Sequence, residues 1–186
     1  MRIIGGNLKG KKLHFLQSEI TRPLRDLVKE SIFNIINYSK ISRVSLENSS
    51  ILDLYSGIGS FGIECISREA KIVSFVENSK EALLLLKKNV DELNIAGKTK
   101  IFEQTVNQFI QKNNKEKYDI IFLDPPFKDE KYLNEIQFLK DSDIYNSEHL
   151  IIFHRESKND EQLNGIFKNL SFKNYGRSKL FFGTFS

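Results

Sequence analysis

The chain has 186 residues and an ordinary hydrophobic fraction of 40%, which suits one domain that buries roughly 70% of its unfolded surface. No apolar run reaches the ~18 residues of a membrane span, the basic N-terminus lacks the apolar segment of a signal peptide, and the single Cys65 excludes an intrachain disulfide and argues against a cysteine-built zinc site. The net charge of +4 is uneven, because Arg2, Lys9, Lys11, Lys12, Arg22, Arg25 and Lys29 against Glu19 and Asp26 give residues 1–29 a net +5, a place for a polyanion to dock or a solvated basic surface.

Met1 to Phe15 reads as two short strands around Gly5-Gly6-Asn7, a hairpin signal. Thr21-Arg22-Pro23 then opens a helix, since Thr can cap it and Pro suits a first turn. Leu24, Leu27, Val28, Ile32, Ile35 and Ile36 follow the helical period and are its expected buried stripe, with Arg22, Arg25 and Lys29 gathered beside it. A polar, serine-rich connection spans Ser39 to Ser50. Residues 1–49 thus read as an extension and residues 50–186 as the core of one compact unit.

From Ser50 strand and helix alternate. Strands are expected at Ile51–Tyr55, Ile72–Glu77, Lys100–Gln104, Tyr118–Leu123 and Leu150–His154. Helices are expected at Ser60–Arg68, Ser79–Asn94, to about Lys112, at Asp129–Lys140 and, weakly, over Asp160–Lys168. Asn78 and Glu81 have the spacing of a capping box, and Phe172–Tyr175 and Lys179–Phe185 form a closing hairpin that turns at Gly176. Such alternation predicts an α/β fold: a mostly parallel sheet covered on both faces, with ligands at the C-terminal ends of its strands.

Two motifs fall at those ends. Gly57-x-Gly59-x-x-Gly62 follows the first strand, and Glu77 closes the second, twenty residues after Gly57. Glycines let the backbone turn tightly and approach a ligand, and the carboxylate can accept from both ribose hydroxyls. This serves NAD or S-adenosylmethionine equally. Asp53 can orient the turn or accept from a ligand amine. Asn78 can meet an adenine edge or serve as a cap. Phe75 and Phe122 lie mid-strand and are expected in the core.

Asp124-Pro125-Pro126-Phe127 follows the buried-looking run Tyr118–Leu123. An exocyclic amine of guanine or adenine is a poor nucleophile, because its lone pair is delocalised into the ring. Hydrogen bonds from that amine to the Asp124 carboxylate and the Pro125 carbonyl would pull the nitrogen toward tetrahedral geometry. Prolines fix the backbone, so the carbonyl is pre-aimed. Phe127 can stack on the base, worth roughly 1–3 kcal/mol. The base must leave its stack or come from a single-stranded loop. The chemistry requires no metal, and His14, His149 and His154 have no metal-ligand spacing.

The chain resembles the bacterial 16S ribosomal RNA guanine-N2 methyltransferases, a class I S-adenosylmethionine-dependent family. The resemblance runs through Met1-Arg-Ile-Ile-Gly-Gly, Lys9-Gly-Lys-Lys-Leu13, Thr21-Arg-Pro23 and Lys29-Glu-Ser-Ile-Phe-Asn34, and on through Asp53–Gly62, Glu77, Asp124–Phe127 and Tyr175-Gly176. It implies a Rossmann-like sheet ordered 3-2-1-4-5-7-6, seven strands with helices on both faces, plus the N-terminal hairpin and helix. It places Asp53, Tyr55, Ser56, Gly57, Gly59, Gly62, Glu77, Asn78, Thr105 and Val106 on the cofactor and Asp124 to Phe127 on the target guanine. The N-terminal basic residues would face 16S ribosomal RNA, within a small-subunit particle. A cytoplasmic monomer is expected. The chain departs from the pattern at Gln104-Thr105-Val106, where such enzymes often carry Asp or Asn near the adenine, and at Leu24, where threonine is usual.

Other readings share parts of this pattern. A nicotinamide dehydrogenase shares the glycine turn but needs a second substrate-binding region. An adenine-N6 methyltransferase acting on DNA or another RNA fits Asp-Pro-Pro-Phe but usually carries a separate target-recognition segment. A protein glutamine methyltransferase favours Asn where Asp124 stands. A non-catalytic RNA-binding protein would not need every piece of the methyl-transfer machinery.

Overall fold

Runs rich in Ile, Val and Phe, punctuated by glycine turns and amphipathic stretches, are drawn into one seven-stranded sheet. The computed structural model describes residues 1–15, 26–38, 41, 43–112, 116–126, 132–156, 163 and 165–186. In chain order the elements are α1 (Asp26–Tyr38), β1 (Ser50–Leu54), α2 (Ser60–Ser67), β2 (Ile72–Glu77), α3 (Lys80–Glu92), β3 (Thr99–Glu103), α4 (Val106–Lys112), β4 (Tyr118–Leu123), α5 (Tyr132–Asp141), β5 (Tyr145–Glu156), β6 (Phe167–Tyr175) and β7 (Ser178–Phe185). A single 3-10 turn, Ala96–Lys98, precedes β3. The sheet order is β3-β2-β1-β4-β5-β7-β6, as the resemblance implied. Strands β1 to β5 pair in parallel, and β7 runs antiparallel to both β5 and β6, so the sheet is mixed.

Each central strand sends alternate side chains to opposite faces. One face receives Ile51, Phe75, Ile120, Phe122, Ile152 and Phe182 and is covered by α1, α2 and α3. The other receives Leu52, Val76, Ile121, Leu123, Ile151 and Phe181 and is covered by α4 and α5. Phe75 and Phe122 are core residues, as expected. Phe61 of α2 stacks between Phe33 of α1 and Phe122 of β4, with ring centroids 5.7 and 4.2 Å away. Gly62 lets α2 rest directly on β2: a Cβ there would lie 2.4 Å from the Phe75 ring.

Several local expectations are corrected, although the N-terminal hairpin forms: Ile3 N donates to Lys11 O (3.0 Å), Leu13 N to Met1 O (3.0 Å) and Gly10 N to Ile3 O (2.9 Å) around the Arg2–Lys12 bridge, and its loop docks on α2. Glu64 accepts from the amides of Ile4 (2.9 Å) and Gly5 (2.7 Å), and Ser67 Oγ accepts from that of Leu8 (2.9 Å). The buried stripe of α1 is Val28, Lys29, Ile32, Phe33, Ile35 and Ile36, while Leu27 is 65% exposed. Leu24 lies outside the described residues. The cap of α3 is Ser79, whose Oγ accepts from Ala82 N at 3.4 Å, not Asn78 with Glu81. The described end of the helix expected over Asp160–Lys168 is a turn at Gly165–Ile166 followed by β6, which begins at Phe167. Strand β5 is longer than expected, reaching from Tyr145 to Glu156.

Candidate active site at the crest of the sheet

The C-terminal ends of β1, β2, β4 and β5 form a crest. Leaving β1, the chain turns through Tyr55 (φ 58°), Gly57 (φ 55°) and Gly59 (φ 85°), left-handed conformations that favour glycine at two of the three positions. The turn is bonded on all sides. Ser56 N donates to Val76 O (3.1 Å), Gly59 N to Ser56 O (2.8 Å) and Gly62 N to the Asp53 carboxylate (3.0 Å). Asp53 is 1% exposed, and burial pushes its carboxyl well above the usual carboxylate range, against the pull of the Gly62 amide. Of its two expected roles, orienting the turn is the one its geometry displays.

Glu77 closes β2 beneath the same turn. One carboxylate oxygen accepts from Gly57 N at 2.7 Å, and the other from Asn78 N and Ser79 N at 2.9 and 2.8 Å. An ionised carboxylate has about four acceptor sites, so Glu77 braces the turn and keeps capacity for a hydroxyl. Asn78 is exposed beside it. A Cβ on Gly57 would meet nothing within 4 Å, so this stretch of backbone borders open space. Ser56 Oγ and Ser60 Oγ are buried there without a protein partner among the described residues. Open backbone, a braced carboxylate and two unpaired hydroxyls fit a nucleoside cofactor.

The remaining expected contacts divide. Tyr55 turns to the other face, where its hydroxyl donates to Glu135 of α5. Thr105 and Gln108 form a reciprocal cap on α4, each side chain accepting the other's amide (3.1 and 3.3 Å), so the threonine hydroxyl is engaged locally. The Val106 side chain is buried in the core.

Strand β4 exits beside β1: Asp124 N donates to Leu54 O at 3.4 Å. This bond brings the Asp124-Pro125-Pro126 turn against the glycine turn. Pro125 is buried and Asp124 half-buried; Phe127 lies outside the described residues. Two consecutive residues of β5, neither expected from sequence, grip this turn from opposite faces. His154 Nδ1 lies 2.8 Å from Asp124 Oδ1, and a carboxylate only accepts, so the ring nitrogen carries the proton. Arg155 Nη1 donates to Pro126 O at 2.9 Å, while its guanidinium lies 4.0 Å over the Tyr132 ring. The signal available was a His-Arg pair continuing the apolar run Leu150–Phe153. A second unforeseen residue is Asn89, which takes a stripe position of α3. Its amide donates to His14 O and Ile58 O, both at 3.1 Å, and its carbonyl accepts from His14 N at 2.8 Å, tying the N-terminal segment to the glycine turn.

Among the described residues the N-terminal basic side chains do not form one surface. Lys9, Lys11 and Lys12 are exposed, but Asn7 and Leu8 dock on Ser67 at the C-terminal end of α2, toward the foot of the sheet. Arg2 pairs with Asp26 at 3.3 Å. Lys29, expected on the RNA surface, is corrected: it is fully buried, donates to Arg2 O at 2.7 Å and lies 3.8 Å from both Glu64 and Asp26. Burial lowers its pKa, against the pull of those carboxylates. Arg22 and Arg25 lie outside the described residues.

With this geometry established, comparison with known proteins adds the lineage. A family model described as conserved hypothetical protein 95 matches residues 1–184. The chain is similar to the ribosomal RNA small subunit methyltransferase D of Buchnera aphidicola from Acyrthosiphon pisum, 35% identical over 156 residues, 84% of this chain and 78% of that one. It superposes on an Escherichia coli protein described as methyltransferase yhhF with a TM-score of 0.83 at 26% identity, covering 100% and 99% of the two chains. A methyltransferase solved in complex with SAH, SMU.776, shares the fold at a TM-score of 0.65 and 16% identity, over 82% of this chain and 48% of that one. The architecture is that of a class I methyltransferase.

Proposed function

Because this chain belongs to the small-subunit ribosomal RNA methyltransferase D family, we propose that it methylates the exocyclic N2 amine of a guanine in small-subunit ribosomal RNA. The observation that carries the reading is the bond from Asp124 N to Leu54 O, which sets the double-proline turn against the glycine turn. Glu77, the Gly57–Gly59 backbone and the Ser56 and Ser60 hydroxyls would hold S-adenosylmethionine, which would supply an electrophilic methyl group. Asp124 and the Pro125 carbonyl accept hydrogen bonds from the two amine hydrogens and localise the nitrogen lone pair. His154 occupies Asp124 Oδ1 and leaves Oδ2 for the amine. Arg155 holds the Pro126 carbonyl, so the turn cannot swing as the base enters. Much of the acceleration comes from fixing the amine in line with the methyl group, since alignment alone can supply about 7–11 kcal/mol.

The proposal is tested on ribosomal RNA from cells lacking the gene, incubated with the protein and digested to nucleosides. Mass spectrometry should find N2-methylguanosine with the wild type and none with Asp124→Ala, whose S-adenosylmethionine affinity should be unchanged. A methylated adenine instead would move the reading to the N6 chemistry, which the same turn could support.

A further inference from the structure

We propose that the β6–β7 hairpin is a second contact surface for the RNA substrate, engaging its phosphates through Lys173 and Arg177. The inference rests on the reading of the protein as an RNA methyltransferase and adds a site to it. No Asp or Glu follows Glu161 in the chain, whereas Lys168, Lys173, Arg177 and Lys179 all do. Among the described residues none of these four cations joins an ion pair. Elsewhere the pattern differs: Lys87, Lys88, Lys100 and Lys117 lie 2.6, 3.8, 2.6 and 2.9 Å from carboxylates. The hairpin therefore carries uncompensated charge.

Its position gives that charge a use. Leu123 is level with Phe153, and Glu156 with Ser178, so the turn at Gly176 rises at the same edge as Asp124. From β4 across β5 to β7 and β6 is two to three strand spacings, roughly 10–15 Å. Lys9, Lys11 and Lys12 follow the loop docked at the foot and are less well placed to guide a strand into the site. Between β6 and α1 runs a groove of about 840 Å³, lined by Leu27, Glu30, Asn34, Tyr38, Lys173 and Tyr175 among others. Tyr38 is 82% exposed on its wall, and the Tyr175 hydroxyl is hydrogen-bonded to Ser31, joining hairpin and helix. On the opposite face of the hairpin Lys179 lies 4.7 Å over the Phe172 ring and 5.0 Å over that of Phe181, so its charge is engaged there. An exposed cation lining one groove with an exposed aromatic ring, Lys173 with Tyr38, suits single-stranded nucleic acid, whose phosphates and bases they can meet.

The competing explanation is that lysines on β6, an edge strand, guard against pairing with another chain. A charge of either sign does that, which makes reversal informative. Binding of a small-subunit ribosomal RNA fragment should be followed by fluorescence anisotropy between about 50 and 200 mM salt. Lys173→Glu with Arg177→Glu should weaken binding at least about tenfold and lower the salt slope by about 2, with S-adenosylmethionine affinity unchanged by calorimetry. Lys100→Glu with Lys117→Glu, beside Glu116 and Asp143 and away from the hairpin, makes the same change in net charge and should leave the slope intact. A double variant with wild-type affinity and slope overturns the hairpin assignment alone. A wild-type protein with no salt-dependent RNA affinity overturns the RNA reading itself, and the hairpin with it.

Discussion

Replacing His154 with alanine separates a positioned carboxylate from a merely present one. The imidazole is 9% exposed and donates to an Asp124 carboxylate that is 28% exposed, at 2.8 Å. Without it, Asp124 keeps its charge but gains rotational freedom and a second acceptor for water. A hydrogen bond to a charged group contributes about 1.5–3 kcal/mol. If that orientation is expressed in the transition state, kcat/KM falls roughly 10- to 150-fold. His154→Asn places an amide N–H near the former Nδ1 and should recover activity to within about fivefold of wild type. The assay is steady-state transfer of radiolabelled methyl to ribosomal RNA, with S-adenosylmethionine affinity by calorimetry and thermal unfolding as controls. His154 lies two strands from β1 in the sheet, so cofactor affinity should not move. A folded alanine variant within about twofold of wild type, a change worth only ~0.4 kcal/mol, would refute the positioning role.

Glu77→Ala removes the acceptor for the amides of Gly57, Asn78 and Ser79 and should weaken S-adenosylmethionine at least about tenfold by calorimetry; unchanged affinity would refute the contact. Glu64→Ala leaves the buried Lys29 with only the half-exposed Asp26 carboxylate and the amides of Ile4 and Gly5 without an acceptor. Urea unfolding should then show a loss of about 3–5 kcal/mol, and a loss below about 1 kcal/mol would show that the N-terminal segment is held some other way. His149 donates from Nδ1 to Asn146 O (2.9 Å) and accepts at Nε2 from Phe185 N (2.8 Å), and burial holds its pKa below the usual value of 6.5. With the folded pKa depressed, its stability contribution is full above about 6.5 and lost as pH falls through the folded value. The urea midpoint should therefore drop on acidification below about pH 6.5 in the wild type and less steeply in His149→Phe.

Much of the architecture was legible because its determinants are local. Alternating apolar runs and glycine turns specify strand, turn and helix within a few residues of one another. The glycines at 57 and 59 take the left-handed conformations their spacing suggested. The helical phase of α1 was legible at Val28, Ile32, Ile35 and Ile36, all buried, but not at the margin of the stripe, where Leu27 and Lys29 flank Val28 and only the partner decides which is buried. Glu64 supplies that partner, and a lysine enters the core while a leucine faces out. The N-terminal hairpin was legible, but its docking was not: Glu64 and Ser67 of α2, about 60 residues along the chain, supply the acceptors for the amides of Ile4, Gly5 and Leu8.

The sequence by itself determined the chemistry available: a carboxylate and two prolines at one strand end, and a glycine turn with a second carboxylate at others. These residues act through backbone geometry that short segments encode. Only the tertiary structure decided what holds them. His154 and Arg155 reach Asp124 and Pro126 because β5 pairs with β4 in one register, and a shift of one residue would exchange their faces. That register is set by the packing of both sheet faces at once, a property no local stretch of chain contains.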